Sequence, residues 1–219
     1  MIRPRNKDVF MDQGINADIV MSRHGETRLN SLMARNHGYS QMKWERSEEN
    51  KKLTVKGKTQ ASQLGSYLKR NGWIPDIFLT STSERSIQTA TIAATELDIT
   101  LSDDNLIKLA ILKETSCFEY MDDHIPNHTF GKFPSYNEKI LEAKDILAVL
   151  WEERFLGRHV LFIGHEMRNT LLLDAALGKR KIMNVPSVCF PNCGIQFLKR
   201  GERCQLFDLG GVFHLDRLR

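Results

Sequence analysis

Three short apolar runs constrain the fold of this chain most, because each of them leads into cationic or imidazole side chains. The first run ends at Arg23-His24, and the second, Phe78-Leu79, is followed closely by Arg85. The third run ends at Gly164-His165. Apolar runs of this length, bounded by polar clusters, are typical of buried strands. If the strands are parallel, their carboxyl ends meet at one sheet edge, where two cations and two imidazoles could converge on a small anion.

The remaining segments alternate between helical and strand-like patterns. Periodicity and capping signals predict four helices, at Thr54–Lys69, Ser83–Leu97, from Ser135 onward, and Asn169–Leu177 before Gly178. The helix after Ser135 opens with a capping box to Glu138. The predicted strands are Asp18–Ser22, Ile77–Thr80 and His159–Ile163, with a closing set at Val188–Phe190, Gly194–Leu198 and Cys204–Leu209. This order predicts an α/β fold, a three-layer α/β/α sandwich with a mostly parallel central sheet.

Length and composition favour one soluble domain. The 219 residues show no internal repeat or low-complexity linker, so residues 1–219 are predicted to form a single domain. Residues 1–15 are basic and lack the apolar core of a signal peptide, so they are expected to be a short arm, and no apolar stretch approaches transmembrane length. The irregular segments 36–52 and 119–136 are the expected rim or cap over a site.

The charge balance points to small ligands and away from nucleic acid. The net charge is +4, which slightly favours anionic small molecules. There is no compact lysine and arginine stripe with interleaved aromatic residues, as nucleic-acid binding would favour. The sequence therefore predicts a protein that binds neither nucleic acid nor membrane, and a homodimer is left open.

Four cysteines, at positions 117, 189, 193 and 204, do not define a disulfide framework or a redox motif. The spacing from Cys189 to Cys193 is too long for CxxC and suits a turn between strands. Asp123, His124 and His128 could be imagined as metal ligands, but Pro126 interrupts simple helical spacing. Reduced thiols in the cytoplasm, no metal and no cofactor are expected.

Six segments, taken in order, resemble the blocks of one known family. They are Arg23-His24-Gly25-Glu26-Thr27 with Asn30; Leu53-Thr54-x-x-Gly57-x-x-Gln60-Ala61; Ser81-x-x-x-Arg85-x-x-Gln88-Thr89-Ala90; Leu112-Lys113-Glu114; Gly164-His165; and Phe213-His214-Leu215. On these residues the chain resembles the histidine phosphatase superfamily, in its phosphoglycerate-mutase-like branch. Each block alone is weak evidence, whereas the ordered set is specific and spans most of the chain.

The resemblance implies a role for each of six residues. His24 would accept the phosphoryl group as a phosphohistidine, and His165 would donate to the equatorial oxygens while also helping to bind phosphate. Arg23, Asn30 and Arg85 would bind the phosphate. Glu114 would protonate the leaving group and then activate water. The implied activity is that of a histidine acid phosphatase-like phosphoric monoester hydrolase acting on a small phosphorylated substrate.

Several alternatives remain open. Glu119, Asp122 and Asp123 are rivals to Glu114 as the acid. A phosphoglycerate-type mutase would need extra cations over the site, but the segment 119–137 offers Lys132 and no arginine. Glu166 stands where the family usually has glycine, and an acid there would repel a phosphate dianion. It leaves a catalytically weak or inactive phospholigand-binding or regulatory protein as the alternative from another class, and a phosphoprotein phosphatase is a third possibility.

Overall fold

The architecture is seen in a computed structural model that describes residues 17–35, 51–114, 136–150, 152–176, 191–200 and 207–213. The strands are β1 (Ile19–Arg23), β2 (Ile77–Ser81), β3 (Leu106–Leu109), β4 (Val160–Gly164), β5 (Ile195–Arg200) and β6 (Phe207–Phe213). The α-helices are α1 (Arg28–Arg35), α2 (Val55–Arg70), α3 (Glu84–Glu96), α4 (Tyr136–Val149) and α5 (Glu166–Ala176). Two short 3-10 helices lie at Ala110–Leu112 and Glu153–Phe155.

The strands form one six-stranded sheet in the order β3-β2-β4-β1-β5-β6. The pairings β3–β2, β2–β4 and β4–β1 are parallel, whereas β5 runs antiparallel to both of its neighbours. The mostly parallel sheet is therefore confirmed. In the central pair, Arg23 lies opposite Gly164, so the residues that follow β1 and β4 leave the sheet side by side.

Alternating side chains of the sheet build a separate hydrophobic core on each face. On one face, Met21 and Phe162 lie in the core that holds α4 and α5. On the other face, Val20 and Leu161 lie in the core that holds α2 and α3. This alternation is the two-residue period of a strand buried on both sides. The three-layer α/β/α arrangement is therefore confirmed.

The helix starts show where the capping predictions hold and where they fail. Thr54 caps α2, since its side chain accepts a hydrogen bond from the Gly57 backbone N–H at 3.0 Å. Ser83 lies at the N-cap of α3, but its side chain makes no capping hydrogen bond. The Ser83 backbone N–H instead donates to the Ser81 hydroxyl at 3.2 Å, which orients the entry into α3 through the preceding strand.

The predicted start of α5 at Asn169 is wrong, because the helix already begins at Glu166. The Asn169 backbone N–H donates to the His165 carbonyl at 2.8 Å, which is a helical hydrogen bond. The Asn169 side chain is fully buried and donates to the Ser22 carbonyl at 3.0 Å. A residue that reads as a helix start in the sequence therefore serves to fasten α5 to β1.

Among the described strands and α-helices, β3 and α1 were not predicted from the sequence. β3 is a half-buried edge strand of four residues, too short to give a clear alternating pattern. Several predicted features lie outside the described residues. They are the helix cap at Ser135, the helix end at Gly178, the strand Val188–Phe190, and most of the rim segments 36–52 and 119–136. Within the described residues, the structure contains no helix that is long and apolar enough to cross a membrane.

Candidate active site

The two imidazoles and one guanidinium group meet at the carboxyl edge of the sheet. His24 follows β1 and His165 follows β4, and their ring centroids lie 5.1 Å apart at an angle of 66°. Arg85 comes from the first turn of α3, directly after β2. Both histidines are buried, with 2% and 0% of their surfaces exposed. The structure therefore brings His24, His165 and Arg85 together at the sheet edge to which the three apolar runs pointed.

The hydrogen bonds of His24 define its tautomer. Its Nδ1 lies 2.7 Å from the carbonyl oxygen of Gly25, and because a carbonyl only accepts, Nδ1 carries the proton. Its Nε2 accepts a hydrogen bond from Nε of Arg85 at 2.9 Å. A backbone carbonyl thus fixes the tautomer of His24, and the lone pair of the ring resides on Nε2.

Burial and positive surroundings keep His24 neutral. Desolvation is the largest effect that lowers the pKa of His24 well below its usual range, followed by the repulsion that would arise between His24 and His165 if both were protonated, and by the charges of Arg85 and Arg23. An imidazole can act as a nucleophile only in its neutral form. The site therefore maintains the form of His24 that such chemistry needs.

His165 is bound on both ring nitrogens. Its Nδ1 accepts from Nη2 of Arg85 at 3.1 Å, since a guanidinium nitrogen can only donate. Its Nε2 then donates to the Ser81 hydroxyl at 2.8 Å, which donates onward to the Ser86 hydroxyl at 3.1 Å. Burial, aided by the charges of Arg85, Arg23 and Arg168, lowers the pKa of His165 to about 2. His165 is therefore neutral as well.

Arg23 is engaged by a carboxylate. Its Nη1 lies 2.7 Å from Oε2 of Glu166, and the two side chains are 12% and 36% exposed. Glu26 is a second carboxylate in the same sequence block as Arg23. The Glu26 carboxylate instead binds Lys56 Nζ and the Thr54 hydroxyl, each at 3.1 Å.

The loop after β1 is fixed by backbone contacts that explain two glycines. A side chain on Gly25 would overlap the carbonyl oxygen of Gly57, and a side chain on Gly57 would overlap the backbone of Glu26. The Gly25 N–H donates to the Thr89 hydroxyl at 3.0 Å, and the Glu26 N–H donates to Gln60 Oε1 at 2.9 Å. Residues from three of the recognised sequence blocks therefore hold the loop that carries His24.

Two asparagines complete this loop. Oδ1 of Asn30 accepts from the Thr27 backbone N–H at 3.1 Å and from the Thr27 hydroxyl at 2.9 Å. With its oxygen used in this way, the amide nitrogen of Asn30 is the group that could donate to a phosphate. Asn192 donates to the His24 carbonyl at 3.0 Å. Sequence reasoning missed Asn192, which was visible only as part of a turn before β5.

Comparison with known proteins agrees with this geometry. The family model of the histidine phosphatase superfamily (branch 1) matches residues 19–122. The resemblance of the chain to this superfamily is confirmed. A search of curated proteins gives no significant match.

Several solved structures share the fold at low sequence identity. A phosphoglycerate mutase from Bacillus anthracis is 16% identical, with a TM-score of 0.64 over 90% of this chain and 93% of that one. A phosphoserine phosphatase from Entamoeba histolytica, in complex with 3-phosphoglyceric acid, is 18% identical, with a TM-score of 0.58 over 90% and 96%. A mycobacterial glucosyl-3-phosphoglycerate phosphatase is 16% identical, with a TM-score of 0.59 over 87% and 96%.

Glu114, the acid that the superfamily resemblance implies, is exposed and follows the 3-10 helix after β3. The carbonyl of its neighbour Lys113 accepts from Nε of Arg168 at 3.2 Å, and Nη2 of Arg168 donates to Glu142 at 3.1 Å. Arg168 is 4% exposed and lies three residues after His165. It fastens the chain beside Glu114 to α5, a role that sequence reasoning missed.

The other acids considered for the same role are Glu119, Asp122 and Asp123, and they lie outside the described residues. The imagined metal ligands Asp123, His124 and His128 lie there too. Cys193 is buried before β5, and the remaining three cysteines fall outside the described ranges.

Proposed function

We propose that the protein is a phosphatase that hydrolyses phosphate monoesters through a phosphohistidine on His24. The observation that carries this proposal is the state of the His24 ring. It is neutral, its Nδ1 is held by the Gly25 carbonyl, and its Nε2 lone pair faces a guanidinium group. A phosphate bound by Arg23 and Arg85 would have its phosphorus next to this lone pair.

In the first half of the proposed reaction, the phosphate takes the place of Nε2 as the acceptor for Arg85. Nε2 of His24 then attacks phosphorus, and the bond between phosphorus and the ester oxygen breaks. Glu114 gives its proton to the departing oxygen, which leaves as an alcohol. Arg23, Asn30 and Arg85 balance the charge that spreads over the equatorial oxygens.

In the second half, water attacks the phosphohistidine and Glu114 takes one of its protons. The bond between Nε2 and phosphorus breaks, which yields inorganic phosphate and restores neutral His24. For His165 to donate to phosphate, it must carry its proton on Nδ1 instead of Nε2. The Ser81 hydroxyl permits this change because it can reverse direction and donate to Nε2.

The proposal is tested by turnover of p-nitrophenyl phosphate. We expect the wild-type protein to release p-nitrophenol and His24→Ala to lose this activity by at least about 1,000-fold, because the nucleophile is gone. His159→Ala, which removes an exposed histidine, is the matched control. Equal turnover by wild type and His24→Ala would contradict the proposal.

The role of Glu114 is tested separately by the leaving group. Glu114→Gln should lower kcat/KM about 100-fold for ethyl phosphate, whose alkoxide needs a proton to leave. It should affect p-nitrophenyl phosphate much less, because nitrophenolate leaves without protonation. An equal loss for both esters would show that Glu114 is not the acid. Glu119, Asp122 and Asp123 would then be the candidates.

The alternative from another class is a protein that binds a phosphorylated ligand without turnover. The ion pair between Arg23 and Glu166 favours it, because a carboxylate occupies a guanidinium group that phosphate would need. Binding of orthophosphate without turnover of any ester in a panel of sugar phosphates, nucleotides, phosphoglycerates and phosphopeptides would support it. The same panel tests the proposal of a small substrate, while a cytoplasmic location and a homodimer stay predictions.

A further inference from the structure

Glu166 places a negative charge on one of the two arginines of the site. It is the first residue of α5, directly after His165, and its carboxylate lies 2.7 Å from Arg23. Two guanidinium groups, one carboxylate and two neutral imidazoles leave this cluster with a net charge of +1. A phosphate monoester carries about −1.5 to −2 at neutral pH. The positive charge of the described cluster is therefore smaller than the negative charge of a simple dianionic ester.

The position of Glu166 is set by elements that cannot move far apart. Arg23 is the last residue of β1 and pairs with Gly164 of β4, two residues before Glu166. The Thr170 hydroxyl donates to the Glu166 carbonyl at 3.0 Å within the first turn of α5. When phosphate binds Arg23, the carboxylate can rotate, but the backbone of Glu166 stays beside Arg23. Its charge thus acts on any bound ester.

Other carboxylates near the loop have cationic partners of their own outside the phosphate cluster. Glu26 binds Lys56, and Glu142 binds both Lys139 and Arg168. The Glu26–Lys56 pair is neutral, and the group of Glu142, Lys139 and Arg168 has a net positive charge, so neither adds negative charge to the phosphate cluster. Glu166 differs because the cation that it neutralises is one expected to bind the substrate.

We propose that Glu166 makes the site select phosphate esters that carry a positive charge close to the phosphoryl group, such as an aminoalkyl phosphate. An ammonium group beside the phosphate would bind the Glu166 carboxylate, release Arg23 for the phosphate oxygens and reduce the charge of the ester to match the site. An ester without this group must instead compete with Glu166 for Arg23. This inference rests on the proposed phosphatase activity and names its substrate class.

The test compares O-phosphoethanolamine with ethyl phosphate, which differ by one ammonium group. The two alcohols differ as leaving groups, so the informative quantity is the ratio of their kcat/KM values in each variant. We expect Glu166→Gln to lower the preference for O-phosphoethanolamine about tenfold, while Glu166→Asp keeps most of it because the charge remains. Glu152→Gln is the matched control, since it breaks a glutamate–arginine pair that precedes β4 at the opposite end of the strand.

The outcomes separate this inference from the proposed function. An unchanged ratio in Glu166→Gln, with normal turnover of p-nitrophenyl phosphate, would overturn the selectivity and leave the phosphatase standing. Absence of His24-dependent turnover of any ester would overturn the phosphatase, and the selectivity with it. Thermal melts of each variant check that the fold is retained, and Glu166→Ser provides a second neutral side chain.

Discussion

At the scale of single residues, Arg85 joins the two imidazoles through different nitrogens. Its Nε donates to His24 and its Nη2 donates to His165. Both rings must be neutral acceptors for these bonds to exist, and burial among positive charges enforces that state. The guanidinium group thus occupies the space where phosphate is proposed to bind. It orients both rings before phosphate binds.

The neutral histidines predict a loss of stability in acid. A histidine whose pKa is lower in the folded than in the unfolded state takes up its proton on unfolding. Its contribution to stability is therefore present above about pH 6.5, the unfolded pKa, and is lost as the pH falls toward the folded value. For His165, with a folded pKa of about 2, this loss amounts to about 2 kcal/mol by pH 5.

Urea unfolding at pH 7.5 and pH 5 measures this effect. His165→Asn should remove about 2 kcal/mol of the stability difference between the two pH values, because asparagine does not titrate. The exposed His159→Asn is the control for loss of a histidine. The account of the neutral ring fails if His165→Asn and wild type lose the same free energy of unfolding between these pH values.

The position of some site residues could be predicted from the sequence, whereas one contact depends on the order of the strands in the sheet. Arg23, His24 and His165 could be predicted to meet because each lies at the carboxyl end of a strand, and parallel strands end at the same sheet edge. The pairing of Arg23 with Glu166 could not, since it depends on β1 and β4 being neighbours with Arg23 opposite Gly164. Strand order is set by the packing of the whole sheet, which no local pattern contains.

At the scale of elements, α2 lies so close to the loop after β1 that a side chain at either contact position would overlap the facing backbone. Gly25 and Gly57 bring two backbones into contact, and the Thr54 N–H donates to the Glu26 carbonyl at 2.9 Å. The start of α2 thus holds the loop that carries the proposed nucleophile. The helix itself could be predicted from its cap and its apolar face, whereas the close contact could not.

Gly57→Ala tests this contact. The added methyl group would overlap the backbone of Glu26, so the variant should lose about 1–3 kcal/mol of unfolding free energy and also lose turnover as the His24 loop shifts. Lys58→Ala, at the next and exposed position of α2, should change stability by less than about 0.5 kcal/mol. Equal stability of these two variants would argue against the tight contact.

At the scale of the whole molecule, one sheet serves both hydrophobic cores. Neighbouring residues of a strand belong to opposite cores, as Phe78 and Leu79 do in β2. Loss of packing on one face therefore disturbs the other. The α/β class followed from the alternation of helical and strand-like segments, but the short edge strand β3 gave no usable pattern.

The shared sheet predicts one cooperative unfolding transition, as expected for the proposed single domain. Phe78→Leu on one face and Phe162→Leu on the other should each lower the Tm of the same calorimetric transition. Leu141→Ala, at an exposed position of α4, is the control and should leave that transition close to its wild-type Tm. Two separable transitions, each sensitive to one of the core variants, would contradict a single domain.

The central claim is that Nε2 of His24 accepts the phosphoryl group, and its most direct test is to trap that adduct. The wild-type protein is mixed with a labelled monoester, quenched within milliseconds without acid, and the label is located by mass spectrometry and phosphorus NMR. We expect one phosphoryl group on Nε2 of His24, because Nδ1 is held by the Gly25 carbonyl. Turnover with no phosphorylated histidine, or with the phosphoryl group on another residue, would contradict it.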